Sequence, residues 1–242
     1  MASARARAQK VFRTLLNTYG EPGWGRKRPP VDELISTILS QNTNDANRDR
    51  AFHALCAKYP RWEDVLGAPV ADIVAAIRPA GLGPQKGPRI RSVLYTIQEA
   101  RGRIELDFLR SLPPDEARNW LIRLPGVGPK TAAIVMLFAL DLPAFPVDTH
   151  VHRVTGRLGL LPPRMTADAA HEYLAGLFDP VQYAAAHLNL IRLGREVCRA
   201  RKPDCPRCPL RRMCPFFRAQ RRRPRDARAG PGDARADVPL TR

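Results

Sequence analysis

Leu124-Pro125-Gly126-Val127-Gly128-Pro129-Lys130-Thr131 is the stretch on which the reading of this chain turns. One helical apolar pattern ends near Arg123 and another starts near Pro129. Proline suits the first turn of a helix, where its missing N–H would have had no partner. Gly126 and Gly128 permit positive φ and close approach of the backbone to a ligand. The second helix offers unpaired N–H groups and the positive end of its dipole, which together suit a phosphate oxygen. An ordinary tight turn between two helices would carry the same glycines, so the rest of the chain has to decide.

The charge balance favours a polyanionic partner. The chain has 242 residues, 44% of them hydrophobic, and a formal net charge of +17. That is enough chain for one large domain or two small ones with a sizeable core. A pI near 10.7 calls for nucleic acid or an acidic surface. From Phe217 to Arg242 there are eight arginines against three aspartates, so most of the excess lies elsewhere. With that charge, the Leu124–Thr131 hairpin reads as a helix–hairpin–helix element gripping DNA phosphate. No apolar run reaches the roughly 18 residues that span a bilayer. The Ala/Arg-rich start has no apolar stretch of a secretory signal, and the expectation is a cytoplasmic protein associated with the nucleoid.

Outward from the hairpin, the pattern is helical almost throughout. Apolar residues recur at helical spacing over 8–19, 31–40, 45–58, 70–77, 88–100, 115–123, 130–140, 148–157, 166–178 and 180–193. Breaks fall at Pro and Gly, as in Gly81–Pro84, Pro113-Pro114 and Leu161–Pro163. Asp45 and Thr166 are candidate N-caps. No alternating segment reads as a strand, so the fold class is all-α. Past Phe217 the apolar pattern stops and Arg, Ala, Gly and Pro take over. Residues 217–242 therefore read as a disordered basic tail, either a solubilising segment or a phosphate-binding arm.

Lys130 falls in the first turn of the helix after the hairpin. A solvated lysine is mostly protonated near neutrality and a poor nucleophile. The positive end of a helix and partial burial both work against an ammonium form. Eighteen residues on, Val147-Asp148-Thr149-His150 puts Asp148 where it would cap the next helix. Capping and chemistry are compatible roles for one carboxylate. His150 lies elsewhere on that helix and reads as structural.

Four of the five cysteines, Cys198, Cys205, Cys208 and Cys214, lie within seventeen residues as C-x6-C-x2-C-x5-C. In a chain without an export signal such a cluster reads as metal-binding rather than as disulfides. Zinc and a [4Fe–4S] cluster are both allowed by four thiolates, although structural zinc more often shows two short pairs. Arg199, Arg201 and Lys202 sit between the first two ligands, a basic loop suited to phosphate contact. Cys56, at helix spacing with Phe52 and Leu55, reads as a core thiol.

Taken together these residues resemble the endonuclease III family of DNA glycosylases/AP lyases, from about residue 10 to about residue 216. Leu124–Thr131 is similar to the family hairpin, with Gly126 and Gly128 at its turn and Lys130 at the catalytic lysine. Asp148 falls at the catalytic aspartate. Gln41, in Ser40-Gln41-Asn42-Thr43, falls at the residue that fills the hole left by a flipped nucleotide, and Leu82 at the wedge between bases. The cysteine spacing is that of the family's [4Fe–4S] cluster.

The resemblance implies a two-lobed fold: a six-helix barrel over 22–142, an iron–sulfur lobe from 1–21 and 143–216, and the tail 217–242. It implies a monomeric base-excision repair enzyme acting on double-stranded DNA with damaged bases or abasic sites, with no membrane partner. The expected activity is that of a bifunctional glycosylase/AP lyase removing oxidised pyrimidines and cutting by β-elimination. A DNA-binding module with lost catalysis and a monofunctional mismatch glycosylase are the alternatives. Thr37 stands where an adenine–mismatch enzyme would need an acid. Asn44 and the Gly83-Pro84 pair depart from the family pattern in the two DNA-facing loops.

Overall fold

The computed structural model describes residues 2–23 and 27–222. Among them the chain is all-helical, with twelve α-helices joined by short loops and 3-10 turns and with no strand. The helices are α1 (Ala2–Tyr19), α2 (Pro30–Ser40), α3 (Asp45–Lys58), α4 (Trp62–Gly67), α5 (Val70–Ala76), α6 (Gly83–Arg101), α7 (Pro114–Ile122), α8 (Pro129–Ala139), α9 (Thr149–Arg157), α10 (Ala167–Ala175), α11 (Tyr183–Glu196) and α12 (Pro215–Arg222). No helix among the described residues is long and apolar enough to cross a membrane.

Two hydrophobic cores divide the molecule. The first takes its buried residues from Val31 to Leu142, with Leu34, Ile35, Ile38, Leu55, Ile73, Ile90 and Leu94 fully enclosed. The second joins Ala8, Val11 and Leu15 of α1 to residues from Phe145 to Cys214. Each fully buried aliphatic side chain contributes about 1.5–3 kcal/mol, so both cores are substantial. Helix α2 lies against α8 in the first, and α9 and α1 lie against α11 in the second. Helix α8 also meets α10 and α11, so the helix that begins at the hairpin forms the seam between the cores.

Several elements differ from the sequence expectation, each for a local reason. Helix α6 starts at Gly83, not at residue 88, because its glycines serve packing rather than a turn. A Cβ on Gly87 would come within 2.7 Å of Val74 Cγ2, and one on Gly83 within 3.0 Å of Val74 Cγ1. Helices α5 and α6 approach that closely only with glycine there. The cap of α3 is Asn44, whose side chain accepts from the Asn47 N–H at 2.8 Å, and not Asp45. Thr166 does cap α10, accepting from Ala169 at 3.2 Å. The segment expected to be disordered from residue 217 is helical through Arg222. Phe216 and Phe217 pack on the second core, and the Arg157 guanidinium sits 4.4 Å over the Phe216 ring, which anchors α12. The remainder of that segment, 223–242, lies outside the described residues.

Candidate active site and DNA-facing surface

At the hairpin, Gly126 takes φ +71° and the Val127 N–H bonds Leu124 O at 3.1 Å, closing the turn. Gly128 is the N-cap residue of α8 and Pro129 its first residue. Lys130 follows in the first turn, half-buried. A Cβ on Gly126 would fall 2.4 Å from Arg89 Nε, so the Arg89 side chain lies directly on the turn. Arg89 also donates to Gln41 Oε1 at 3.0 Å, which links the hairpin to the Gln41 loop.

The segment before Asp148 is fixed by aromatic packing and by two histidines. Phe145 stacks on Phe178 at 5.1 Å and meets Tyr183 edge-on at 5.5 Å. Its carbonyl accepts from His171 Nδ1 at 3.0 Å, and that of Pro146 accepts from His187 Nδ1 at 2.9 Å. A carbonyl only accepts, so each Nδ1 carries the proton. Burial pushes the His187 pKa down to about 4; the Asp148 carboxylate pulls it up and the Lys130 ammonium pushes it down. His187 is therefore a neutral ring at physiological pH, sharing one electrostatic neighbourhood with Lys130 and Asp148. Asp148 caps α9, accepting from the Val151 N–H at 2.7 Å.

Lys130 and Asp148 line one cleft of about 420 Å³ between the cores, with His187, Ile134 and Phe138 beside them. Across it α2 contributes Glu33, Ser36, Thr37 and Ser40, and the preceding loop contributes Arg28. His150 is engaged elsewhere: Arg153 bonds its Nδ1 at 3.0 Å, and it packs on Gly194. Leu82 stands in the left-handed region at φ +52° and is 42% exposed, an apolar residue on strained backbone at the surface. Sequence reading missed His187, Glu33 and Arg28 in the cleft. The only signal was Asp-Glu in the first turn of α2, which also describes ordinary helix-dipole pairing.

The four clustered cysteines line one narrow cavity with Val154, Leu158 and Leu193, under Phe216 and Phe217. All four are free thiols. Among the described residues no group of three His, Cys, Asp or Glu side chains is placed to hold a metal ion. Burial pushes the Cys208 thiol up to about 11 and raises Cys205 as well. Arg157 reaches across the rim, donating to Cys198 Sγ at 3.4 Å, to Arg199 O at 2.7 Å and to Ala200 O at 3.0 Å. It thereby pins the exposed loop that carries Arg199, Arg201 and Lys202.

The comparisons agree with this architecture. Residues 35–180 match the model of the HhH-GPD superfamily of base excision DNA repair proteins. A putative DNA glycosylase of Arabidopsis thaliana is 43% identical over 144 residues, 60% of this chain; the chain spans about half of that protein, 48%. Endonuclease III of Thermotoga maritima is 33% identical over 193 residues, covering 80% of this chain and 86% of that enzyme. The solved structure of a trapped endonuclease III–DNA covalent intermediate superposes with a TM-score of 0.78 at 28% identity, over 90% of this chain and 99% of that one. The chain belongs to the endonuclease III family of the HhH-GPD superfamily and is a DNA glycosylase of base excision repair.

Proposed function

We propose that this chain is a bifunctional enzyme that excises an oxidised pyrimidine from duplex DNA and then cuts the strand at the resulting abasic site. The observation that carries this is the convergence of Lys130, in the first turn of α8, and Asp148, at the N-cap of α9, on one cleft. The base is extruded into the cleft, at least cost when it is damaged and poorly stacked. Lys130 Nζ, as the neutral amine, attacks the sugar C1′, and the base leaves with the electron pair of the glycosidic bond. Asp148 stabilises the positive charge developing on the sugar and takes up the amine proton. The sugar ring then opens: the C1′–O4′ bond breaks, O4′ takes a proton and C1′ is left joined to Nζ as a Schiff base. A 2′ proton is lost and the 3′ C–O bond breaks by β-elimination, the phosphate leaving with its electron pair.

The same reading assigns the surface. Gln41 fills the vacated stack and Leu82 wedges beside it, supported by the exposure of Leu82. Gly126 and Gly128 bring the backbone N–H groups of the hairpin to a phosphate. Arg199, Arg201 and Lys202 form a second phosphate contact, supported by the Arg157 bonds that hold their loop. The two cores support a domain division of 22–142 against 1–21 with 143–216, and on this reading the enzyme acts as a monomer at the nucleoid.

Cys198, Cys205, Cys208 and Cys214 fit a [4Fe–4S] cluster: four thiols around one shielded, largely apolar cavity, in a compact loop. Such a cluster supplies a cross-link that fixes the loop, and base removal needs no electron from it.

Borohydride trapping on abasic duplex tests the assignment. Lys130→Gln abolishes the trapped complex while duplex binding persists. Asp148→Asn slows base release and cutting by about 10²–10⁴-fold. Undiminished trapping by Lys130→Gln would show that another amine is the nucleophile.

A further inference from the structure

Helix α2 carries a polar stripe that its apolar core does not explain. Glu33, Ser36, Thr37 and Ser40 recur at i, i+3, i+4 and i+7, on one face, and all four line the cleft opposite Lys130 and Asp148. Leu34, Ile35, Ile38 and Leu39 fill the other face. Ser36 and Thr37 are almost wholly enclosed, and the Glu33 side chain is 16% exposed. Polar groups shielded to this degree are unfavourable unless something bonds them.

The bonds Glu33 makes within the protein are slack. Arg28 reaches its Oε2 at 3.5 Å, and the Thr37 hydroxyl reaches Oε1 at 3.4 Å, both at the outer limit for a hydrogen bond. Arg28 is shared, reaching Asp49 at 3.4 Å and lying 5.4 Å over the Phe52 ring. Burial raises the Glu33 carboxyl, and Arg28 acts in the opposite direction. A carboxylate only accepts and a guanidinium only donates. Side by side on the cleft wall they complement an N–H flanked by a carbonyl.

We propose that Glu33 and Arg28 read the extruded base, Glu33 accepting a ring N–H and Arg28 donating to the adjacent carbonyl. The inference rests on the reading above that the nucleotide enters this cleft with its C1′ at Lys130. The base class it selects is the uracil type, including ring-saturated pyrimidines, whose N3–H lies between two carbonyls. Glu33 is then a specificity residue, and Asp148 alone serves the sugar.

The test compares wild type, Glu33→Gln and Glu33→Met on three duplexes. One carries 5,6-dihydrouracil, one its N3-methyl analogue and one a preformed abasic site. Base release is scored after alkali, independently of any lyase step. Wild type releases dihydrouracil about 10²-fold faster than the N3-methyl base, because that methyl leaves Glu33 unpaired. In Glu33→Met the ratio of dihydrouracil release to abasic cutting falls about 10²-fold and the N3 discrimination disappears; Glu33→Gln, which keeps the shape and one acceptor, falls between. Base release and abasic cutting declining together in both variants, with a lower melting temperature, would make Glu33 merely structural and overturn the proposal. So would unchanged discrimination in Glu33→Gln and Glu33→Met, or a wild type that ignores the N3 methyl. A wild type that releases base but cuts no abasic site sinks the lyase reading alone, since base release by the variants still reports on Glu33.

Discussion

In the core of residues 31–142 one buried lysine holds two loops; in the core of the two termini two buried histidines hold one. Lys86, 1% exposed, donates to Leu39 O at 2.8 Å and to Ala80 O at 2.9 Å. Those carbonyls adjoin the Gln41 loop and the Leu82 loop. An ammonium has three donors on a flexible stem, so it ties together segments distant in sequence. His171 and His187 have one donor each on a rigid ring, and they hold adjacent carbonyls of Phe145 and Pro146 just ahead of Asp148. The first arrangement couples two surfaces to each other. The second fixes one carboxylate in place. Burial lowers the pKa of all three side chains, that of His187 to about 4.

The second core also has the four clustered cysteines beside it, whereas the first has Cys56 alone. That asymmetry gives the largest expected effect. On the proposed [4Fe–4S] assignment Cys208→Ala removes a cluster ligand, and the binding energy of a structural metal is partly folding energy. Wild type purified without air is brown and carries about four irons per chain. The variant loses the iron and several kcal/mol of stability, with α12 and the Arg199–Lys202 loop released first and the helices around Leu34 and Ile90 last. Hydrogen exchange reads that order. Stoichiometric zinc in the wild type, or an iron-replete Cys208→Ala, would remove the asymmetry.

Lys86→Met strikes the other side. It leaves the Leu39 and Ala80 carbonyls without a buried donor, at about 1–3 kcal/mol each. Urea unfolding should show a loss of roughly 2–6 kcal/mol, and affinity for duplex should fall because the Gln41 and Leu82 loops lose their shared tie. A loss under about 0.5 kcal/mol would mean that the carbonyls find other partners and that the lysine couples nothing.

Much of this was legible in the sequence, and the rest was hidden for identifiable reasons. The hairpin, Lys130, Asp148 and the cysteine spacing are local patterns, readable because their chemistry depends on neighbours a few residues away. The helical period placed most of the fold. Gly83 and Gly87 misled because a glycine that lets two helices touch looks like one that ends a helix; only the distance to Val74 separates them. Residue 217 misled in the same way, since two phenylalanines are too few for a periodic signal yet enough to dock α12. Lys86, His187 and Glu33 were silent because burial, not residue type, makes them informative, and burial here is set by elements far apart in the chain. Asp148 was read with two compatible roles, and the capping bond to Val151 accounts for one of them.

The smallest effect separates the two fastenings by pH. The His187 pKa is about 4 in the folded chain, against about 6.5 when unfolded. Between those values the unfolded chain binds the extra proton, so stability increases with pH across the window. The full contribution is present above about pH 6.5 and is lost as pH falls toward 4, by at most about 1.4 kcal/mol per pH unit. His171, also depressed by burial, adds to the same acid limb. His187→Asn keeps an N–H donor for the Pro146 carbonyl but removes the titration. Melting temperatures at pH 7.5 and pH 5 should therefore converge in His187→Asn relative to wild type, although the variant starts lower. Carboxylates titrate alike in both proteins, so the difference between them isolates the ring. Parallel acid limbs in the two proteins would show that the Asp148 wall is held without reference to the charge of this histidine, and the contrast with Lys86 would then be one of reach alone.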